Sequence, residues 1–292
     1  MNIKTSKTTS DMKANKGMMT LHEAIEAKGG KNGRFVVKHL KGAGIEGWSD
    51  CTKLNLAEFP DYLTRVGVCQ STACQYVAVL KAVLNRYSET GVIPCTNIKE
   101  ALKCKNEKAQ KVYLNESELE RLENVPTKND RELFVKLCFL ISVKTGMRVS
   151  DTLRASKSNA SNGMFRYVSQ KTSIEACVPI SDKTIGWIEE VNTLKVVPNP
   201  STYEVIIKRL CARAGIDEPM KLFRAGVERT EPKWKFVTSH TARVTFATSL
   251  SQLKIPIQDI ATMMGHATPA VTANYIVRTA PKIDERAMAY FR

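Results

Sequence analysis

Apolar positions recur at three- and four-residue spacing through most of this chain, a pattern that predicts a protein built mainly of helices. Thr20 and Glu23 have the spacing of a capping box, so a helix is expected to begin there and stop before Gly29-Gly30. A short helix is expected through RFVVKHL, ended by the glycines at 42 and 44. Asn55 with Glu58 reads as the cap of LAEFPDYLTRVG, which places Pro60 near the first turn, where a missing N–H matters least. Ser71 or Thr72 then opens a long helix with Tyr76, Val77, Leu80, Val83, Leu84 and Tyr87 along one stripe, and Gly91 closes it.

From Ile98 to Lys111 the stripe fades into a Lys-rich stretch, which reads as an interdomain linker along the outside of the bundle or as a solvated helix end. Asn115 and Glu118 form a further capping box, and RELFVKLCFLISVKTG is a strongly apolar helix that stops at Gly146. In MFRYVSQKTSIEACVPIS the period drops to two: Phe165, Tyr167, Ile174, Ala176 and Val178 mark short strands, with a turn at Lys171 to Ser173. The remainder reads as helical: TIGWIEEVN, TYEVIIKRLCARAG, the segment holding His240, the stretch from Pro256 into IATMMGH, and a last helix from about Ile283. The expected fold class is mainly α with a small β-sheet. A helical bundle spans 18–105, a mixed α/β (α+β) domain spans 112–292, and a flexible basic arm occupies 1–17.

Length agrees with two domains, since 292 residues exceed what one compact core usually holds. Charge changes the picture further. The chain carries 44 Lys+Arg against 29 Asp+Glu, a formal surplus of +15, which attracts polyanions and favours nucleic acid as partner. The surplus is denser in the first third, where residues 1–109 hold 17 basic against 10 acidic side chains. No apolar run approaches the roughly 18 residues of a membrane span. The eight cysteines form no CxxC and have no neighbouring His pair, so no metal site is read. Cys138 and Cys177 sit in apolar runs as small buried hydrophobes, and a reducing cytosol fits this usage.

The last fifth of the chain carries the chemistry. His240 and Arg243 lie three residues apart and share a helix face, so both can reach one phosphate; Gly265-His266 and Tyr275 follow, and Arg148 lies far upstream in TGMRVSD. A phosphodiester cut without metal needs a nucleophile, positive donors for the non-bridging oxygens, and an acid for the leaving oxygen. Arg supplies the donors, because its planar fork grips two oxygens and keeps its charge. Taken singly, each Arg reads as a salt-bridge residue, each His as an interior one, and Tyr275 in VTANYIVRT as a packed side chain.

TGMRVSD, QKT, SHTARVTFATSL, MMGH and TANYI together resemble the boxes of the tyrosine recombinase (phage integrase) family, and the Ser-His-Thr-x-Arg form is similar to that of integrases from Bacteroidetes phages and mobile elements. The resemblance covers residues 112–292 and extends more weakly to the first domain, as that family's helical core-binding (SAM-like) DNA-binding domain. It implies that Tyr275 attacks the scissile phosphate and becomes joined to the 3′ phosphate, while Arg148 and Arg243 hold the non-bridging oxygens. Lys171 would protonate the leaving 5′ oxygen, His240 would assist proton transfer, His266 would hydrogen-bond the phosphate, and Asp151 would orient neighbours. The resemblance also implies a metal-independent enzyme with no cofactor, which integrates or excises a mobile element in the bacterial cytoplasm, at the nucleoid. Its expected partners are double-stranded DNA attachment or core sites, three more copies of itself in a homotetramer on two duplexes, optionally a DNA-bending protein, and no membrane. The helix at IDERAMAYFR would dock in trans on a neighbour or fold back in cis. Two other readings stay open: a type IB topoisomerase using a similar residue set, and a DNA-binding protein on the same scaffold that does not cut.

Overall fold

The computed structural model describes residues 19–104, 111–224 and 227–277. The basic arm at 1–17, residues 105–110 of the expected linker and the expected helix from Ile283 lie outside the described residues. By contact the chain divides into two compact units, one of residues 1–109 with 225–227 and the other of residues 110–224 and 228–292.

The described residues of the first unit form five α-helices: α1 (Leu21–Gly29), α2 (Gly33–Gly42), α3 (Lys53–Arg65), α4 (Gln70–Tyr87) and the single turn α5 (Ile98–Ala101). The Thr20–Glu23 capping box forms, with Thr20 Oγ1 accepting from Glu23 N at 3.3 Å and Glu23 Oε2 accepting from Thr20 N at 2.9 Å. Tyr76, Val77, Leu80, Val83 and Leu84 face the core, as their spacing predicts, and meet Leu21, Ile25, Leu40, Leu56, Phe59 and Leu63. Three expectations fail here. Helix α3 starts two residues before Asn55, capped instead by Thr52, so Pro60 lies inside the helix; two caps compete within four residues and the earlier one wins. The N-cap of α4 is Cys69, ahead of the Ser71 and Thr72 alternatives. The start of the expected linker belongs to the core, because Ile98, Ala101 and Leu102 are buried there, a single apolar turn too short to register as a stripe.

Cysteine usage also departs from the expectation of reduced thiols. Cys74 on α4 and Cys104 beyond α5 are joined as a disulfide across 30 residues of sequence, while Cys51, Cys69, Cys95, Cys138, Cys177 and Cys211 are free. Cys138 is buried, but Cys177 is only half buried, because it faces away from the core on its strand.

The second unit runs α6 (Glu116–Asn124), α7 (Asp130–Thr145), α8 (Val149–Thr152), β1 (Ala160–Ser161), β2 (Met164–Val168), β3 (Glu175–Pro179), α9 (Asp182–Thr193) and α10 (Pro200–Arg213). A hairpin β4 (Pro219–Arg224) and β5 (Val227–Pro232) follows, then α11 (Ser239–Gln252), α12 (Ile257–Met263) and α13 (Pro269–Ala273). Helix α7 is apolar on all sides because it runs through the middle, packed by α9, α10 and α11. The sheet is antiparallel in the order β1-β2-β3, and its register pairs Phe165 with Val178 and Tyr167 with Ala176, the residues whose alternation marked the strands. Ile174 falls in the turn, one residue short of β3. The β4–β5 pair corrects the expectation that everything after the first hairpin is helical: PMKLFR and VERTEP carry no clean alternation, and pairing decides their conformation.

Helices α1 and α2 meet where Gly33 has no side chain. A Cβ there would lie 2.7 Å from Glu26 Cα and 2.9 Å from the Ile25 carbonyl oxygen. Gly33→Ala is expected to destabilise the first unit by about 1–3 kcal/mol through overpacking, read by chemical denaturation. An unchanged midpoint would contradict the close approach.

Candidate active site

Arg243 is fully buried on α11, where its guanidinium is held by the ends of two other helices. Its Nη1 donates to the carbonyl oxygen of Gly146, and its Nη2 donates to the carbonyl oxygen of Met264 at 3.3 Å and to His266 Nε2 at 2.7 Å. Gly146 ends α7 in the left-handed region at φ +68°, and a Cβ there would meet the Phe246 ring at 2.7 Å, so only glycine turns the chain here and presents that carbonyl. Gly265, at φ +62°, does the same after α12, and His266 N then bonds back to the Ala261 carbonyl at 3.0 Å. These closures place His266 beside Arg243.

An arginine only donates, so His266 Nε2 must accept. The proton of the neutral ring is then on Nδ1, which lies 2.9 Å from Thr272 Oγ1 and donates to it. Burial, and after it the charges of Arg243 and Arg148, lower the His266 pKa to about 4. His240 is open to solvent at its edge. Desolvation by the surrounding protein, followed by the field of Arg243, Arg148, Lys111 and Lys171, brings it also to about 4. Water screens His240 in part, so the buried His266 carries the firmer depression. Arg243 itself is lowered by burial and by Arg148, with Tyr275 opposing.

Tyr275 follows α13, and its ring lies among these groups. The ring centroid is 4.9 Å from that of His240, 5.0 Å from that of His266, 5.3 Å from Arg243 Cζ and 5.6 Å from Lys111 Nζ. The nucleophile candidate is therefore seated among residues of its own chain. Arg148, half buried at the start of α8, donates to Ser169 Oγ at 2.6 Å and stands 4.0 Å from Asp151 Oδ2. Asp151 is buried, and its Oδ1 accepts from Gln170 N at 3.0 Å and Arg154 Nη2 at 2.9 Å, so it ties the segment after Arg148 to the β2–β3 turn. Lys171 is exposed on that turn. Its neighbour Thr172 donates to the Gly265 carbonyl at 3.2 Å, which fastens the turn beside His266.

The seven residues singled out from sequence thus fall in one region of the second unit. The Tyr275 ring contacts Arg243, His266 and His240, Arg243 and His266 are hydrogen-bonded, Arg148 and Asp151 share the adjoining turn, and Lys171 contributes to the field at His240. Sequence reasoning missed Lys111, Ser169, Glu204 and Thr272. Glu204 on α10 accepts from Ser239 N at 2.9 Å and Ser239 Oγ at 2.7 Å, which pins the first turn of α11 next to His240. None of these four had a local signal: Lys111 lay in a Lys-rich stretch, and the others are ordinary polar residues. Among the described residues no group of three or more His, Cys, Asp or Glu side chains could hold a metal ion, and no helix is long and apolar enough to cross a membrane.

The imidazoles set an acid limit. The unfolded chain takes up protons on histidine near pH 6.5, whereas the folded chain takes up these two only at about 4. Between those values the unfolded state binds more protons, so stability falls as pH drops from 6.5 toward 4. His266 contributes about 1–3 kcal/mol of that loss. Thermal melts across this window should show it, and His266→Gln should flatten the profile; a flat wild-type profile would contradict a neutral His266.

The sequence pattern of the phage integrase family matches residues 112–280. No curated protein sequence matches the chain. Among solved structures, the Tn1549 transposon integrase in complex with a circular-intermediate DNA superposes with a TM-score of 0.69 at 16% identity, covering 94% of this chain and 100% of that one. A lambda integrase tetramer bound to a Holliday junction gives 0.64 at 15%, covering 96% and 84%. The XerH site-specific recombinase bound to a palindromic difH substrate gives 0.60 at 18%, covering 82% and 70%. With more than half its length matched and a catalytic-domain fold shared with these three, the chain belongs to the phage integrase family, the tyrosine-type site-specific recombinases that act as DNA strand transferases.

Proposed function

We propose that this enzyme cuts and rejoins DNA at attachment sites of a mobile element through a covalent 3′-phosphotyrosyl intermediate, and that the seven residues named above carry the reaction. The observation that carries the reading is the seating of the Tyr275 ring against Arg243, His240 and His266. Tyr275 Oη attacks the scissile phosphorus; a bond from Oη to phosphorus forms, and the bond from phosphorus to the 5′ oxygen breaks. His240, neutral at pH 7, takes the phenol proton. Arg148 and Arg243 receive the negative charge that builds on the non-bridging oxygens, and Lys171 gives a proton to the departing 5′ oxygen. His266 keeps Arg243 in place by accepting from its Nη2, and when the guanidinium shifts onto DNA the ring donates to the phosphate from Nε2 once its proton has moved there from Nδ1. Asp151 holds the turn that brings Lys171 in.

The phosphotyrosyl bond resembles the phosphodiester it replaces, so a 5′ hydroxyl from another strand reverses the attack with no added energy source. Exchange of strands between two duplexes then needs four such sites, which supports a homotetramer on double-stranded DNA. In this reading the first unit is a helical core-binding domain whose basic surplus grips the DNA backbone, as the charge of its sequence supports. A chromosomal DNA substrate places the enzyme in the bacterial cytoplasm, at the nucleoid, with a DNA-bending protein as an optional partner.

DNA flanking the gene, offered as a nicked suicide substrate, should trap a covalent adduct that Tyr275→Phe abolishes while binding persists. Arg148→Ala should slow adduct formation by about 100-fold or more and weaken binding only slightly, since one phosphate contact among many adds little. Absence of any adduct would leave a DNA-binding protein that does not cut, and efficient multi-turn relaxation of a plasmid without target sites would point to a topoisomerase.

A further inference from the structure

We propose that Lys111 is a positioning residue for the nucleophile: the segment opening the second unit is pinned along α11 so that the Lys111 ammonium lies over the Tyr275 ring. The inference rests on Tyr275 being the attacking group.

The pinning is built from two threonines. Thr245 and Thr248 stand three residues apart on α11 and so share a face. Thr245 Oγ1 accepts from Leu114 N at 3.0 Å in a buried hydrogen bond and donates to the Thr241 carbonyl at 2.8 Å. Thr248 Oγ1 accepts from Val277 N at 3.0 Å and lies 3.5 Å from the Tyr275 carbonyl oxygen. One face of the helix that carries His240 and Arg243 therefore grips backbone on both sides, at 114 and at 275–277. Burial alternates along 111–114, with Val112 and Leu114 buried and Lys111 and Tyr113 half buried, so the latter two fall on the other side. Tyr113 is held in turn, its hydroxyl 3.5 Å from Gln252 Nε2 and its ring 5.5 Å from Lys233 Nζ. Lys111 is thus delivered to the site by an anchored backbone.

An ammonium over a phenol ring is attracted by the negative face of the ring, and the attraction grows as the phenol gives up its proton. Lys111 consequently does two things. It holds the ring where His240 and Arg243 reach it, and it favours the charge that develops on Tyr275 during attack. His240 is faced by Arg243, Arg148, Lys111, Lys171, His266 and Tyr275, so beside the desolvation that lowers its pKa most, Lys111 is one of four cations whose field adds to that lowering.

The test uses the full chain in two arms. The chain has four histidines, so each imidazole titration can be followed by NMR without DNA. Lys111→Ala should raise the titration point of His240 from about 4 and leave His22 and His39 in place, and Lys111→Arg should keep the wild-type value. In the second arm, adduct formation at saturating protein should slow by about 3- to 10-fold in Lys111→Ala and recover in Lys111→Arg. An unmoved His240 overturns the proposal, as does a loss confined to affinity with the saturated rate unchanged, which would make Lys111 a phosphate contact only. If the wild-type protein forms no adduct, the proposed reaction fails and the titration alone decides the placement of Lys111.

Discussion

Arg243 lies in the interior of the second unit with its guanidinium held by two carbonyl oxygens and an imidazole, and no carboxylate pairs with it among the described residues. Taking a cation out of water costs several kcal/mol unless a counter-charge or a full set of hydrogen bonds compensates. Here the compensation is partial, because Nε finds no acceptor among the described residues. The carbonyls come from the C-terminal ends of α7 and α12, where the helix dipole is negative, and each helix ends at a glycine in the left-handed region. The packing of α7, α11 and α12 is thus organised around a buried positive charge.

The same charge dictates the state of its neighbours. With Nε2 already accepting from Arg243, a proton on His266 would point at a guanidinium, so the ring stays neutral and Thr272 takes the Nδ1 proton. His240 is held neutral by desolvation first and by the cations around it second. Asp151 spends its hydrogen bonds on Arg154 and on Gln170 N, which ties it to the Lys171 turn, and its second carboxylate oxygen stands 4.0 Å from Arg148 Nη1.

How much of this was legible in the sequence depended on range. Caps at Thr20 and Asn115, the glycine stop at 146 and the alternation of Phe165, Tyr167, Ala176 and Val178 are local signals and appear where they were expected. Thr52 outranked Asn55 because neighbouring caps compete, and the residues of α5 were too few to show a stripe. The β4–β5 pair carries no clean alternation in PMKLFR and VERTEP, so the pairing left no apolar record along the chain. In the site, the ordered boxes singled out Arg148, Lys171, His240, Arg243, His266 and Tyr275. Lys111, Glu204 and Thr272 act across the fold on partners far away in the chain and left no pattern to read.

By itself, the sequence determined the helical class, the main turns and the basic surplus, because periodicity, capping and charge are properties of neighbours along the chain. Tertiary structure alone decided that Arg243 is buried with no carboxylate partner among the described residues, that both imidazoles are neutral, that Cys74 meets Cys104 and that Lys111 lies over Tyr275. Desolvation and charge–charge interaction depend on distance in space, and only packing sets that distance.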